Sequence, residues 1–407
     1  MNNFRYPGEF ENQDSVMITW PKCHYSVKGY NVFQVFNEIV KHLKGHVKLI
    51  INCNTENLSK DCKQSLEQAG IDYKSIEFTS YPDDLNWARD YGADILIKDD
   101  KLRMIDFQFN TYGLEEIEDP CNQKNQQFAI RHAKDLKCVD VLKSKLITEG
   151  GNKEFNGCGI MMSIVDTEKT KRNPNHSLST IESVYKYLFN LEKIIWLKKG
   201  SFEDEDFFDG ILYYEDQEPV YRSLSANGHI DEICRFVSAD KVVLAEVDFN
   251  PTNEAERITK QRLDEAYSIL LKETDQNGNA FDIIRMPVPL PFSIEVDKKD
   301  DIYQIWELYK TKSGMSLMRD NTPFPKNKFR VQPAMSYCNF LICNGVVLGQ
   351  KYYQEGMPLA IKEQDDKAKK ILEEIFSNRK VITINTMALN ILGGGIHCVT
   401  KNVAKRI

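Results

Sequence analysis

A chain of 407 residues, 42% hydrophobic and 28% charged, has ordinary globular composition with ample material for a large core. The formal net charge of -7 argues against a non-specific nucleic-acid binder, which needs a basic surface to displace counterions. It suits instead a small cationic ligand drawn to a cleft lined by carboxylates.

Length alone would allow two or three domains, although a closed repeat architecture can use it as one unit. The start Met1-Asn2-Asn3-Phe4-Arg5-Tyr6-Pro7 lacks a basic-then-apolar leader, and no apolar run approaches the ~20 residues that span a bilayer. A cytoplasmic protein with no membrane partner is expected.

Helical periodicity is predicted over Val32–Leu43, Gln126–Asp135, Ser179–Phe189, Asn253–Leu271 and Asp365–Phe376. Each stretch is followed by a β-branched run: Val47–Ile51, Lys145–Ile147, Lys193–Leu197, Asp282–Met286 and Lys380–Ile384. Further strands are predicted at Ala93–Lys98, Leu102–Phe107, Lys241–Val247, Tyr337–Cys343 and Val346–Leu348. Five helix-then-strand units point to a repeated α/β architecture. A plain doubly wound sheet also alternates in this way, but no G-x-G-x-x-G fingerprint follows a first strand. The acidic, aromatic stretch at about 201–227 has no period and reads as an insert or lid-like excursion.

The ten cysteines form no C-x-x-C pair and no zinc spacing, so reduced, buried thiols and no metal are expected. Cys398 stands apart because it follows Gly393-Gly394-Gly395, directly before a strand-like run at Ile396–Thr400. Consecutive glycines mark an unusual turn or a close approach of backbone to a ligand. On an extended strand His397 would point away from Cys398, which leaves it poorly placed as a base. In Gly228-His229-Ile230-Asp231-Glu232, an extended backbone would put His229 and Asp231 on one face; otherwise they close a polar turn. Trp87-Ala88-Arg89-Asp90-Tyr91-Gly92 and Glu149-Gly150-Gly151-Asn152 each place an acid beside a strand. Asp90, Glu149 and Asp231 would match a guanidinium, whose planar fork pairs with carboxylates. An Arg89–Asp90 ion pair and a simple glycine turn are the plainer alternatives.

The four runs W-A-R-D-x-G, E-G-G-N, G-H-I-D-E and G-G-G-I-H-C-V-T occur in the order found in agmatine deiminases and bacterial-type peptidylarginine deiminases, and the chain resembles that family over nearly its whole length. "FENQDSVMITWP", "RNPNHSLSTIESVYKYLFNLEKIIWL" and "AMSYCNFLICNGVVL" extend the likeness. The resemblance implies a pentein fold, a five-bladed α/β propeller with pseudo-fivefold symmetry, as a single catalytic domain over 1–407. It also implies Cys398 as nucleophile, His229 as general acid/base, Asp90 and Asp231 as guanidinium ligands, and Glu149 beside them. Trp87, Gly394 and Gly395 are candidate substrate contacts. No cofactor is implied, the partner is a small guanidino cation, and a homodimer is the candidate assembly.

The reaction implied is hydrolysis of agmatine to N-carbamoylputrescine and ammonia through an amidino-thioether on Cys398. Peptidyl-arginine or free arginine is the alternative substrate, followed by amidino transfer and then a silent binding module. Three departures from the family pattern bear on the substrate. Gly395 meets Ile396 without the asparagine common in agmatine deiminases, Ala93 replaces a frequent proline, and the stretch before Gly228 is long.

Overall fold

The computed structural model describes residues 4–22, 26–27 and 29–406; Met1–Asn3 and Cys23 lie outside the described residues. The protein has a mixed α/β fold in which five sheets share one pairing pattern. In the first, the middle strand Gln13–Thr19 runs antiparallel to Thr400–Ala404 and parallel to Lys48–Asn52. The other middle strands are Lys101–Gln108, Ile160–Ile164, Lys241–Glu246 and Val346–Lys351. Each has an antiparallel neighbour on one side (Asp94–Lys98, Glu154–Phe155, Cys234–Phe236 and Leu341–Ile342, respectively). Each has a parallel neighbour on the other: Val141–Ile147, Lys193–Leu197, Asp282–Pro287 and Lys380–Asn385.

A parallel pair cannot be joined by a hairpin and needs a crossover. The five expected helices provide it, as Val32–Leu43, Pro120–Asp135, Leu178–Phe189, Glu254–Leu270 and Leu359–Ile375. Val32–Leu43 illustrates the local cause. Asn31 caps it by accepting from Phe33 N, and Val32, Val35, Phe36, Ile39, Val40 and Leu43 form the buried stripe. The second helix begins six residues before the expected start, because Asp119 caps it and Pro120 opens it despite the polar run that follows.

The stretch after Gly200 is not a formless loop. Ile211–Glu215 and Glu218–Arg222 form a hairpin that adds, in parallel, to Lys328–Gln332. Ile294–Asp297 completes this four-stranded sheet, and helix Asp301–Ser313 packs beside it. Two excursions, one before His229 and one before Asn339, therefore build a single added layer. The helix Glu56–Gln68 was also not expected; its buried Leu58, Cys62 and Leu66 recur every four residues in an otherwise polar run.

All nine described cysteines are free thiols, but not all are buried: Cys158 is exposed and Cys121 and Cys138 are half-buried. No helix among the described residues is long and apolar enough to cross a membrane.

Polar ties hold the sheets to one another. Arg235, fully buried on Cys234–Phe236, pairs with Glu154 and with Glu9, and donates to the carbonyls of Cys338 and Phe340. Arg235→Ala leaves buried Glu154 without its ion-pair partner and removes one of the four partners of Glu9, an unpairing that costs about 3–5 kcal/mol. Its thermal melt and urea midpoint are expected to fall well below those of the parent; an unchanged melt would remove the arginine from this role.

Candidate active site

Four of the predicted residues lie just before the antiparallel edge strand of a sheet. Asp90 precedes Asp94–Lys98, Glu149 precedes Glu154–Phe155, Asp231 precedes Cys234–Phe236, and Cys398 precedes Thr400–Ala404. Asn339, just before Leu341–Ile342, is the fifth in this register. All five residues are buried.

Cys398 is 2% exposed, and its Sγ lies 3.2 Å from Asn339 Nδ2 and 3.8 Å from Glu232 Oε1. The same Asn339 nitrogen donates to Glu232 Oε1 at 2.9 Å, so one amide bridges acid and sulfur. An oxygen of Asp231, an oxygen of Glu232 and the sulfur all lie within 4.8 Å of one another. Burial pushes the Cys398 thiol well above its ordinary range, and Asp231, Glu232 and Asp90 push it further. Residues 396–399 form turns rather than the expected strand, because Asn339 takes the His397 amide out of any ladder.

His397 nevertheless serves elsewhere. Its Nδ1 lies 2.6 Å from Asp231 Oδ2 and its Nε2 lies 2.7 Å from Glu9 Oε2. It orients Asp231, whose Oδ1 is left buried and without a partner. Despite burial, the contacts with His397 lower the Asp231 carboxyl below its ordinary value.

His229 and Asp231 are not on an extended strand: Ile230–Glu232 is a helical turn with His229 at its start. Asp204 Oδ2 accepts from the Gly228 and His229 amides at 3.0 and 3.1 Å and fixes this turn. Convergence still results, around Gly151. A Cβ there would lie 2.6 Å from His229 Nδ1, 2.9 Å from Asp90 Oδ1 and 3.0 Å from Asp231 Oδ2, so only glycine fits. The Gly151 amide donates to Asp90 Oδ1, and the Tyr112 hydroxyl donates to Oδ2, each at 2.9 Å.

The His229 ring stands between acids, with Nε2 3.4 Å from Glu149 Oε2 and Nδ1 3.6 Å from Asp90 Oδ1. Burial lowers its basicity, but Asp90, Glu149 and Asp231 outweigh that and raise its pKa to about 9. Neither ring nitrogen has an aligned hydrogen bond, which leaves its protons available to a ligand. Burial would raise Glu149, but Arg172, 2.6 Å away, and His229 hold it at about 2. Arg172 comes from the π-helical turn Asp166–Arg172. For Asp90 burial dominates and the carboxyl is raised. Arg89 does not pair with Asp90. It reaches Glu9, Asn402 and the His397 carbonyl, and its amide donates to the Cys398 carbonyl.

Cys398 and Asp90 form the floor of a vestibule of about 470 Å³. Its walls include Trp87, Tyr112, Leu392 and Gly393, and from the added layer Leu224 and Tyr309. Gly394 backs onto Trp87, whose ring would lie 2.7 Å from a Cβ, whereas Gly395 faces Asn339 and Gln350. Glu232, Asn339, Tyr112, Arg172 and Glu9 were not singled out from the sequence. The recurrent register before each edge strand would have found Asn339, and Glu232 stood inside the G-H-I-D-E run.

The site can therefore accept a planar cation against acids, present a sulfur to it and supply a proton. With the site empty, the thiol should stay protonated near neutral pH. Iodoacetamide at pH 7 is expected to modify exposed Cys158 before Cys398, with a small guanidinium accelerating the second reaction, as read by peptide mapping. Fast modification of Cys398 in the empty enzyme would overturn this account of the thiol.

The sequence model of the Porphyromonas-type peptidyl-arginine deiminase family matches residues 5–211 and 217–403. The agmatine deiminase of Medicago truncatula is 25% identical over 414 residues, covering 98% of this chain and 96% of its own. Among solved structures, the agmatine deiminase of Enterococcus faecalis matches with a TM-score of 0.74 at 22% identity, over 100% of this chain and 97% of that one. The C. jejuni agmatine deiminase gives 0.70 at 19% identity, over 99% and 97%.

Proposed function

Since the chain belongs to the Porphyromonas-type peptidyl-arginine deiminase family, we propose that it hydrolyses agmatine to N-carbamoylputrescine and ammonia through a covalent bond to Cys398. It is a hydrolase acting on the C–N bonds of guanidino groups. The wall of the vestibule carries the choice of agmatine. Among the described residues no lysine or arginine lines it, so the α-carboxylate of free arginine would have no cationic partner. Leu224, Leu392 and Trp87 suit an aliphatic chain, and aromatic faces suit a distal ammonium.

Asp90 and Asp231 hold the guanidinium, and its charge favours loss of the Cys398 proton to solvent. The thiolate attacks the central carbon while protonated His229 gives its proton to the departing nitrogen, which leaves as ammonia. An amidino-thioether remains on the sulfur. Neutral His229 then takes a proton from water, whose oxygen adds to the same carbon. The C–S bond breaks, a ureido group forms on loss of a proton, and His229 is again charged. Asn339 and Glu232 position the sulfur; Glu149 and Arg172 position His229.

The five like sheets are read as the blades of a pentein propeller, a single catalytic domain with the added layer as a lid beside its mouth. A cytoplasmic location and a homodimer belong to the same reading.

A ureido-product assay on agmatine, free arginine and an arginine-containing peptide decides the substrate. Agmatine is expected to be strongly preferred; preference for the peptide would overturn the assignment. His229→Asn is expected to lower kcat/KM by about 10²–10⁴-fold, the usual range for lost acid–base help, and Asp90→Asn to lower it through loss of a charged guanidinium contact.

The pH profile has a defined sign. The folded His229 pKa of about 9 lies above its ordinary 6.5, so the charged form persists below 9 and disappears above it. The stability this charge contributes is likewise complete below 6.5 and lost as pH rises through 9. kcat/KM should fall on the alkaline side near 9, and a fall centred near 6.5 would contradict the buried ion pairs around His229.

A further inference from the structure

Beside the catalytic centre lies a second cavity, which the reaction does not use. Its polar lining includes four acids, Glu203, Asp204, Glu232 and Glu256, and among the described residues no lysine or arginine faces it. Two of the acids are already engaged. Glu256 accepts from Thr252 and Asn253 at the start of its helix, and Glu203 accepts the Thr259 hydroxyl. The other two are not saturated. Asp204 is 4% exposed, and while Oδ2 holds the turn carrying His229, its Oδ1 is buried without a hydrogen-bond partner. Glu232 uses Oε1 for Asn339 and the sulfur, and its Oε2 accepts no hydrogen bond among the described residues although the residue lines this cavity.

A buried carboxylate oxygen with no donor costs free energy until a donor arrives. The remaining walls, including Val247, Phe249, Leu263, Pro287 and Met335, are apolar. A hydrated metal ion would gain nothing from that surface, whereas an alkyl chain would bury against it. The donor that fits both parts is an ammonium head on an aliphatic body.

We propose that this rear cavity is a binding site for an aliphatic ammonium ion, separate from the guanidinium site and held by Asp204 and Glu232. Because Asp204 also anchors the turn that carries His229, and Glu232 also contacts the Cys398 sulfur, an occupant here contacts the two residues that position the catalytic groups. The site stands on its own geometry and does not depend on which guanidino compound the front vestibule takes.

The test uses n-butylammonium chloride as probe, titrated calorimetrically into the full chain and three variants. Asp204→Asn keeps an acceptor for the two backbone amides but removes the charge. Ser201→Trp fills the cavity from its rim on a connecting segment, outside every sheet. Trp87→Ala alters the front vestibule and leaves every residue lining the rear cavity in place. Saturable binding to the parent is expected, weakened about tenfold or more in Asp204→Asn, as for loss of a charged hydrogen bond. Ser201→Trp should also lose binding while still turning over substrate, which shows it is folded. Trp87→Ala should bind the probe as the parent does. Binding that survives both rear-cavity variants, binding lost only in Trp87→Ala, or no saturable binding to the parent would each overturn the proposal.

Discussion

One carboxylate near the start of the chain holds the site together. Glu9 Oε1 accepts from Arg235 at 3.0 Å and from the Ile342 amide at 2.9 Å. Its Oε2 accepts from Arg89 at 3.1 Å and meets His397 at 2.7 Å. These partners stand beside Asp231, Asn339, Asp90 and Cys398. Burial would raise the Glu9 carboxyl, but His397, Arg235 and Arg89 hold it well below the ordinary carboxylate range. A charge satisfied from four directions is a strong geometric constraint, since moving any one segment leaves a buried donor unpaired. The centre is thus held by a second ring of ions that never touches the reacting atoms.

That outer ring matters because the inner one is electrostatically unfavourable. Asp90, Asp231, Glu149, Glu232 and the thiol are all buried and gathered close together. Arg172 offsets Glu149, His397 offsets Asp231, and charged His229 stands among the rest. The unpartnered Asp231 oxygen and the raised Asp90 carboxyl remain, and both are satisfied by an arriving cation. Substrate charge is therefore part of the site's own balance, and the same charge favours the thiolate.

The sequence made the repeat legible because its five helices carry a strong apolar stripe and its parallel strands are β-branched. The middle strand Ile160–Ile164 escaped notice because burial of all five residues leaves no alternation. Cys398, His229, Asp90, Asp231 and Glu149 could be named from motifs, but the strand expected at Ile396–Thr400 is a turn over 396–399, and of the two geometries open for His229 and Asp231 the turn is the one found. The residues at 396–399 and 230–232 turn rather than extend: Asn339 captures the His397 amide, Asp204 the amides of Gly228 and His229, and Asn152 that of Ile230. Glu9 and Arg172 were not legible at all. Their importance lies in contacts spanning hundreds of residues or crossing from one turn to another, which no local pattern records.

The register of functional residues explains why the chemistry and the specificity can be separated. Each sheet delivers one residue to the centre just before its antiparallel edge strand, so those positions are fixed by strand pairing. The added layer enters through the longer connections leading to His229 and to Asn339, and it reaches the vestibule only through residues such as Leu224 and Tyr309. In the proposed function those side chains would face the tail of the substrate rather than its reacting carbon. Exchange of this layer can therefore change which guanidino compound fits while the sulfur, the acids and His229 keep their places.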